Sequence, residues 1–495
     1  MTKKGFINCN VIPVAKRSEQ YHGFLVEDGT IWHIDDFDVI MEDSDEKINL
    51  NGSFVLPGFI DSHTHLVEMG LDMNRVDLSD AESLDEAQYY LEKEAENTES
   101  GEWIIGVGFD ETVWKKTDYP SKEDLNDVTE DHPLVIKRVC GHMAVANSKA
   151  LEKINEEHEF VDKETGLLKE KVVQDLNDYV SVSKEERKDA IRRAIKTAHS
   201  KGITGVHDIV DGEDWEAYKE LDSQESLDMR VSCYLLHEDS EGLKPVKKSD
   251  FLSLKGLKMF ADGSIGAKTA ALNEGYEGEP ENRGILLLEQ EEMEDIIKDA
   301  EDRDFQVMVH AIGDRAIATV LDAFESASER NKELKHRIEH AEMLWEEYIR
   351  RIRELGLILS TQPNFAYRWS RSSEMNEKRL GEERLEKVNP YWDIQRALIK
   401  MTFGSDNMPM SPLYGIHSAI NHPVLEQRIS AYNALQSYTI NGAYASGDDD
   451  RLGSFEEGKL ADFVVLSENP LDSKNIDDIE VMMTVVGGKI VYDDR

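Results

Sequence analysis

From residue 57 to residue 452 the chain alternates short apolar, β-branched runs with helix-patterned stretches, and this rhythm limits its folds more than any other feature. Strand-like runs fall at 58–65, 203–209, 230–236, 257–261, 306–310, 337–340, 357–361 and 401–405, with the clearest helical patterns at 184–201, 289–303 and 316–330. Strands that alternate with helices pair in parallel, and eight such units are what a (β/α)8 barrel needs. Two further strand-like runs, 103–108 and 134–139, exceed that number. They are assigned to an insertion of about 67–180 between the first barrel strand and its helix. The reason is that 184–201 passes straight into Gly202-Ile203-Thr204-Gly205-Val206, a helix handing over to a strand.

The two ends have a different texture. Apolar runs at 23–26 and 30–34 flank Glu27-Asp28-Gly29, which predicts a hairpin, and similar runs at 461–466, 483–486 and 489–492 surround Gly487-Gly488. Both termini are therefore expected to build one small β domain, 1–56 plus 453–495, beside a barrel of 57–452. The fold class expected is α/β: a TIM barrel, a small β-sandwich domain from both termini, and an insertion after the first barrel strand.

Composition narrows the partners. The 495 residues carry 57 basic and 101 acidic side chains, a formal net charge of −44. Nucleic-acid phosphates and anionic membranes both require a basic face, so neither is expected. The acidic residues are spread along the whole chain, as on a solvated surface; a halophilic, high-salt interior and an ordinary acidic protein both fit. No window approaches 18 apolar residues, residues 1–10 lack an apolar signal core, and Cys9, Cys140 and Cys233 lie too far apart for a disulfide framework. A cytoplasmic protein is expected, with a homo-oligomer left open.

Chemistry collects where the strands end. His63 and His65 stand at i and i+2, so both project from one face about 6–7 Å apart and can close on one metal ion; two unrelated histidines are the plain alternative. His310, His340 and Asp406 end later strands and Lys258 lies inside another. In a barrel these positions converge on the catalytic face, and imidazoles with a carboxylate make a mixed N/O set suited to zinc. No His-Glu-x-x-His helix, Gly-x-Ser-x-Gly elbow or Cys-x-x-Cys pair is present, and the phosphate-loop-like run 263–269 is broken by Ala267.

The run Leu56-Pro57-Gly58-Phe59-Ile60-Asp61-Ser62-His63-Thr64-His65 resembles the opening metal motif of the amidohydrolase superfamily, and 453–463 resembles that superfamily's return into its small β domain. Lys258-Met259-Phe260-Ala261-Asp262-Gly263-Ser264, Gly141-His142-Met143-Ala144 and His310-Ala311-Ile312-Gly313-Asp314-Arg315-Ala316 are similar to the amidohydrolase-3 branch, which includes N-substituted formamide deformylases. The resemblance implies His63, His65, Lys258, His310, His340 and Asp406 as ligands of one or two divalent ions, with zinc foremost. It also implies a carbon dioxide-derived carbamate on Lys258. An ammonium facing imidazoles and cations is repelled and desolvated, so its neutral amine is favoured; an ion pair of Lys258 with Asp262 is the alternative. The implied reaction is hydrolysis of a non-peptide C–N bond by metal-activated hydroxide, with Asp406 as proton shuttle. Opening of a cyclic amide, deamination of a ring, or a non-catalytic regulatory protein retaining the fold remain alternatives.

By the same resemblance His142 reaches the substrate and stabilises an oxyanion, the alternative being a packed histidine in a turn. Asp110 and Trp114 are read as substrate-binding, or else as part of an ordinary loop with an anchoring aromatic. His336 is left out because it lies about 13 Å along the strand from His340. The motif does not require His207, and Asp314 is expected to cap a helix.

Overall fold

Strands buried on both faces read as continuous apolar runs, and the middle region is built from such strands. The computed structural model describes residues 3–15, 21–111, 113–114, 119–139, 141–154, 160–371 and 374–495. Eight strands lie side by side, each parallel to the next: β1 (Phe59–Thr64), β2 (Ile203–Val210), β3 (Arg230–Leu236), β4 (Leu252–Phe260), β5 (Gln306–Ala311), β6 (Arg337–His340), β7 (Ile358–Thr361) and β8 (Met401–Phe403). All eight residues of β2 and all six of β1 are buried. The result is a nearly closed TIM-type barrel.

Helices face the barrel with apolar stripes. In Lys184–Ser200 the buried residues Ala190, Ile191, Ala194, Ile195 and Ala198 recur at helical spacing, and Ser183 with Glu186 forms a capping box at its start. Gln290–Asp302 and Asp314–Ala327 cover later strands in the same way. Residues from strands and helices alike, among them Val206, Ile297, Val309, Leu321 and Phe403, share one apolar core.

The seam between β1 and β8 is closed by single contacts. The Asp406 N–H donates to the His63 carbonyl (2.9 Å), and the Ser405 N–H donates to Asp61 Oδ1 (2.9 Å). Gly404 makes this approach available, since a Cβ there would stand 2.5 Å from the Cβ of His63.

The two runs outside the barrel count, now Ile104–Phe109 and Leu134–Arg138, belong to a separate six-stranded sheet. Its order is Val161–Asp162, Leu167–Lys169, Met143–Ala146, Leu134–Arg138, Ile104–Phe109, Val76–Asp77. It follows β1 and carries its own core around Leu91, Phe109, Trp114 and Ile136. At the termini, Lys4–Val11, Tyr21–Glu27, Thr30–Ile34, Glu46–Asn49 and Phe54–Pro57 join Phe463–Leu466, Val481–Val486 and Lys489–Asp493 in one sheet. Phe6, Phe24, Phe455 and Phe463 interlock in its core, with neighbouring ring centroids 4.7–6.1 Å apart. The expected hairpin turns at Asp28 (φ 49°) and Gly29 (φ 75°). Cys9 and Cys233 are buried free thiols, while Cys140 lies outside the described residues. Among the described residues no helix is long and apolar enough to cross a membrane.

Candidate metal centre

The barrel gathers the predicted residues at one mouth. His63 stands one residue before the end of β1, His65 caps the helix Leu66–Asp72, His310 and His340 sit at the ends of β5 and β6, and Asp406 follows β8. Ring centroids run 5.6 Å from His63 to His65, 4.8 Å from His63 to His340 and 4.4 Å from His340 to His310. Asp406 Oδ1 lies 3.4 Å from Nε2 of His65 and 3.8 Å from Nε2 of His63. Ligand atoms of His63, His65 and Asp406 all fall within 4.8 Å of one another. His340 (φ 66°) and Asp406 (φ 50°) hold left-handed backbone, the kind of local strain that collects at functional sites.

One nitrogen of each buried imidazole is already assigned. His63 donates from Nδ1 to Glu339 Oε2 (2.6 Å), His340 from Nδ1 to Gln362 Oε1 (2.8 Å), and His310 from Nε2 to the Gly263 carbonyl (3.1 Å). Burial pulls all three rings below the usual histidine range, which favours the neutral imidazole with a lone pair on its second nitrogen. That is the form and the outer bonding a metal-ligating histidine needs. Glu339 is itself fully buried; burial alone would raise its carboxyl, but Arg337 and His63 outweigh this and hold it low. Arg337 grips it with two donors (2.6 and 2.9 Å) and donates to the Ser62 carbonyl (2.6 Å).

Lys258 completes the cluster. It is 1% exposed, its Nζ has no hydrogen-bond partner among the described residues, and it stands 4.6 Å from the Phe260 ring centroid. Burial lowers its amine to about 8 against the raising pull of Glu339 and Asp406. The ion pair with Asp262 is not formed. That carboxylate accepts instead from the N–H groups of Ala271, Ile312 and Gly313 (2.8–3.0 Å), and burial pushes it up to about 8. An orphaned buried amine beside inward lone pairs and an anionic carboxylate is a donor set that fits divalent cations. Burial by itself would raise Asp406, yet His63, His65 and His340 hold it well below the usual carboxylate range.

A cavity opens from this cluster. His142, His340, Glu342 and Asp406 form its polar side, and Phe365, Trp369, Met375 and Met408 its apolar side. Phe365 lies parallel to His340 (8°) and 4.8 Å from Trp369. His142 arrives from the inserted sheet, its ring centroid 5.5 Å from that of His310. Two other expected site residues stand elsewhere. Trp114 packs on Phe109 inside the inserted sheet and donates from Nε1 to the Ala81 carbonyl (2.9 Å), so it is a core residue away from the cavity. Asp110 does not line the cavity either; it stands 3.6 Å from both Arg138 and Arg368, bridging the insertion to helix Pro363–Trp369.

Outside the site, Gly313 occupies the helix cap, and Asp314 is the first helical residue, accepting from Asn273 (2.9 and 3.0 Å) and Trp345 (3.2 Å). His336 bonds the Val307 N–H and Glu301, and His207 accepts from Arg337 (2.8 Å). Sequence reasoning missed Glu339, Gln362, Glu170 and Asp61. For Glu339 the available signal was its i, i+2 spacing from Arg337 on one strand.

The sequence model of the Amidohydrolase family matches residues 46–492. Protein LONG AFTER FAR-RED 3 of Arabidopsis thaliana is 30% identical, over 98% of this chain and 90% of its own length. An N-substituted formamide deformylase of Arthrobacter pascens is 26% identical over 98% of both chains. The solved structure of an uncharacterized metal-dependent hydrolase from Pyrococcus furiosus superposes with a TM-score of 0.79 at 30% identity, covering 95% of this chain and 100% of that one. The sequence match over nine-tenths of its length and the imidazole–carboxylate mouth of its barrel agree: the chain belongs to the amidohydrolase family of metal-dependent hydrolases.

Proposed function

We propose that the protein hydrolyses a non-peptide carbon–nitrogen bond, an amide or N-substituted formamide, in a small molecule. The observation that carries the reading is the Asp406 carboxylate, 3.4 and 3.8 Å from two imidazole nitrogens and on the rim of a cavity with an apolar wall. The full-length similarity to a formamide deformylase supports it. His63, His65, Lys258, His310, His340 and Asp406 would hold one or two divalent ions, best matched by zinc, with Lys258 as a carbamate. Such ions, when bound, acidify water and polarise a carbonyl.

The chain's own groups do the rest. Asp406 takes the proton from the attacking water and delivers it to the leaving nitrogen, so that the amine departs neutral. His142 reaches the carbonyl oxygen from the opposite wall and stabilises its developing charge. Phe365 and Trp369 seat the nitrogen substituent and keep water from it. The reading extends to a cytoplasmic enzyme, in keeping with two buried thiols left unpaired.

The test is a panel of N-alkyl and N-aryl formamides, acetamides, cyclic amides and amino-substituted rings given to zinc-reconstituted protein. Release of free amine, abolished by a strong chelator, is expected. Ammonia release from rings alone, or turnover indifferent to the chelator, would count against the assignment.

A further inference from the structure

Glu170 is a fully buried carboxylate that none of the chemistry above uses. The antiparallel ladder of the inserted sheet pairs Met143 with Lys169, Ala144 with Leu168 and Val145 with Leu167, and one step further sets His142 opposite Glu170. The pair is tied twice. The Glu170 N–H donates to the His142 carbonyl (3.0 Å), and Glu170 Oε2 stands 2.9 Å from Nδ1 of the His142 ring. Glu170 holds this place with φ 46° and ψ −122°, a backbone region that L residues avoid and that strain-bearing functional positions retain. Its other oxygen, Oε1, is buried without a hydrogen-bond partner among the described residues, and Gly263, in the loop after β4, leaves room for it: a Cβ there would meet Oε1 at 2.3 Å. The carboxylate is thus wedged between the inserted sheet and the barrel, with its bonded oxygen on the His142 ring that the insertion sends into the cavity.

We infer that Glu170 is the positioning residue of this site. It fixes the rotation of the His142 ring so that Nε2, and not Nδ1, is the nitrogen through which His142 acts on the substrate carbonyl. The inference rests on the reading of His142 as the group that meets that carbonyl. A ring free to turn about its side-chain bonds would present Nε2 in only part of its orientations, whereas a ring whose Nδ1 is bonded to an immobile acceptor presents it in all of them.

The experiment is a double-variant cycle in zinc-loaded full-length protein, with metal content and kcat/KM measured for each member. His142→Ala is expected to lower kcat/KM about 100-fold, the scale of losing one oxyanion donor. Glu170→Ala should fall by a similar factor, with metal content unchanged. The double variant should be no slower than His142→Ala alone, because Glu170 acts only through the ring. Glu170→Gln, which keeps an acceptor oxygen of the same size, should recover most of the rate. Multiplying losses in the double variant, or Glu170→Gln as slow as Glu170→Ala, would overturn the inference. If no amide in the panel is hydrolysed, the functional reading fails, and crystal structures of zinc-loaded wild type and Glu170→Gln and Glu170→Ala variants still decide. A His142 ring held as here in the first two and turned away in the third supports the positioning role; a ring unmoved in all three refutes it.

Discussion

On the barrel side of the candidate site His63, His310 and His340 are almost fully buried, and each is bonded through one nitrogen to a protein acceptor, Glu339 among them being gripped in turn by Arg337. On the side of the inserted sheet, the cavity receives one imidazole among the described residues, His142, which keeps 16% of its side-chain surface and is steered by the Glu170 carboxylate. The barrel wall is a deep, cross-braced shell in which charge placement is fixed. The inserted wall is a separate sheet with its own core, joined to the barrel by contacts such as Asp110 with Arg368 and Glu170 with the Gly263 loop. Such a division lets the barrel keep the chemistry constant while the insertion varies what is presented to it.

Substitutions on the barrel side should therefore cost the most. Asp406→Asn removes the proton carrier and keeps its size, so kcat on a hydrolysed amide should fall by roughly 1,000-fold. Elemental analysis should find that metal content falls far less. Lys258→Ala comes next. If Lys258 holds metal as the proposed carbamate, about one ion per chain should be lost with it, and a small carboxylic acid in the buffer should return part of it. A metal-replete alanine variant would show that Lys258 is no ligand.

Glu339→Ala probes the bracing itself. It strands the Arg337 guanidinium, wholly buried, without its carboxylate, so urea unfolding should report a loss of about 3–5 kcal/mol. Metal affinity should drop about 10- to 100-fold as His63 loses its acceptor. The smallest effects separate two tryptophans. Trp369→Ala should raise KM for an apolar N-substituent about tenfold with kcat little changed. Trp114→Phe should cost about 1 kcal/mol of stability through the hydrogen bond to Ala81 and leave both kinetic constants alone. Equal kinetic effects of the two would erase the distinction between the walls.

The same contrast explains what could be read before the fold was seen. The eight barrel strands and the polar residues that end them are legible, because a strand announces itself over a few neighbouring residues and His63-Thr64-His65 interrupts an apolar run at its end. Glu339, Gln362 and Glu170 were not legible as partners. Each is a lone polar residue whose meaning depends on an imidazole from another strand, brought to it by barrel closure or by the inserted ladder. Trp114 misleads for a related reason: an aromatic in a glycine-bearing loop looks the same from sequence whether it faces a cavity or fills the core of a second sheet. At Asp314 local chemistry favoured a helix cap, and the distant Asn273 and Trp345 claimed the carboxylate instead.

The seam between β1 and β8 also sets an order of events during synthesis. Ser405 and Asp61, which pin it, are 344 positions apart in the chain. A ribosome that has made the first 400 residues has delivered all four imidazoles and Lys258 but not the carboxylate that stands between His63 and His65. The barrel cannot shut until Gly404 has slid against His63, and at that moment the main chain sets Asp406 beside the rings. A chain that stops short of residue 404 therefore holds its imidazoles without the seam or the carboxylate, and its candidate site stays incomplete.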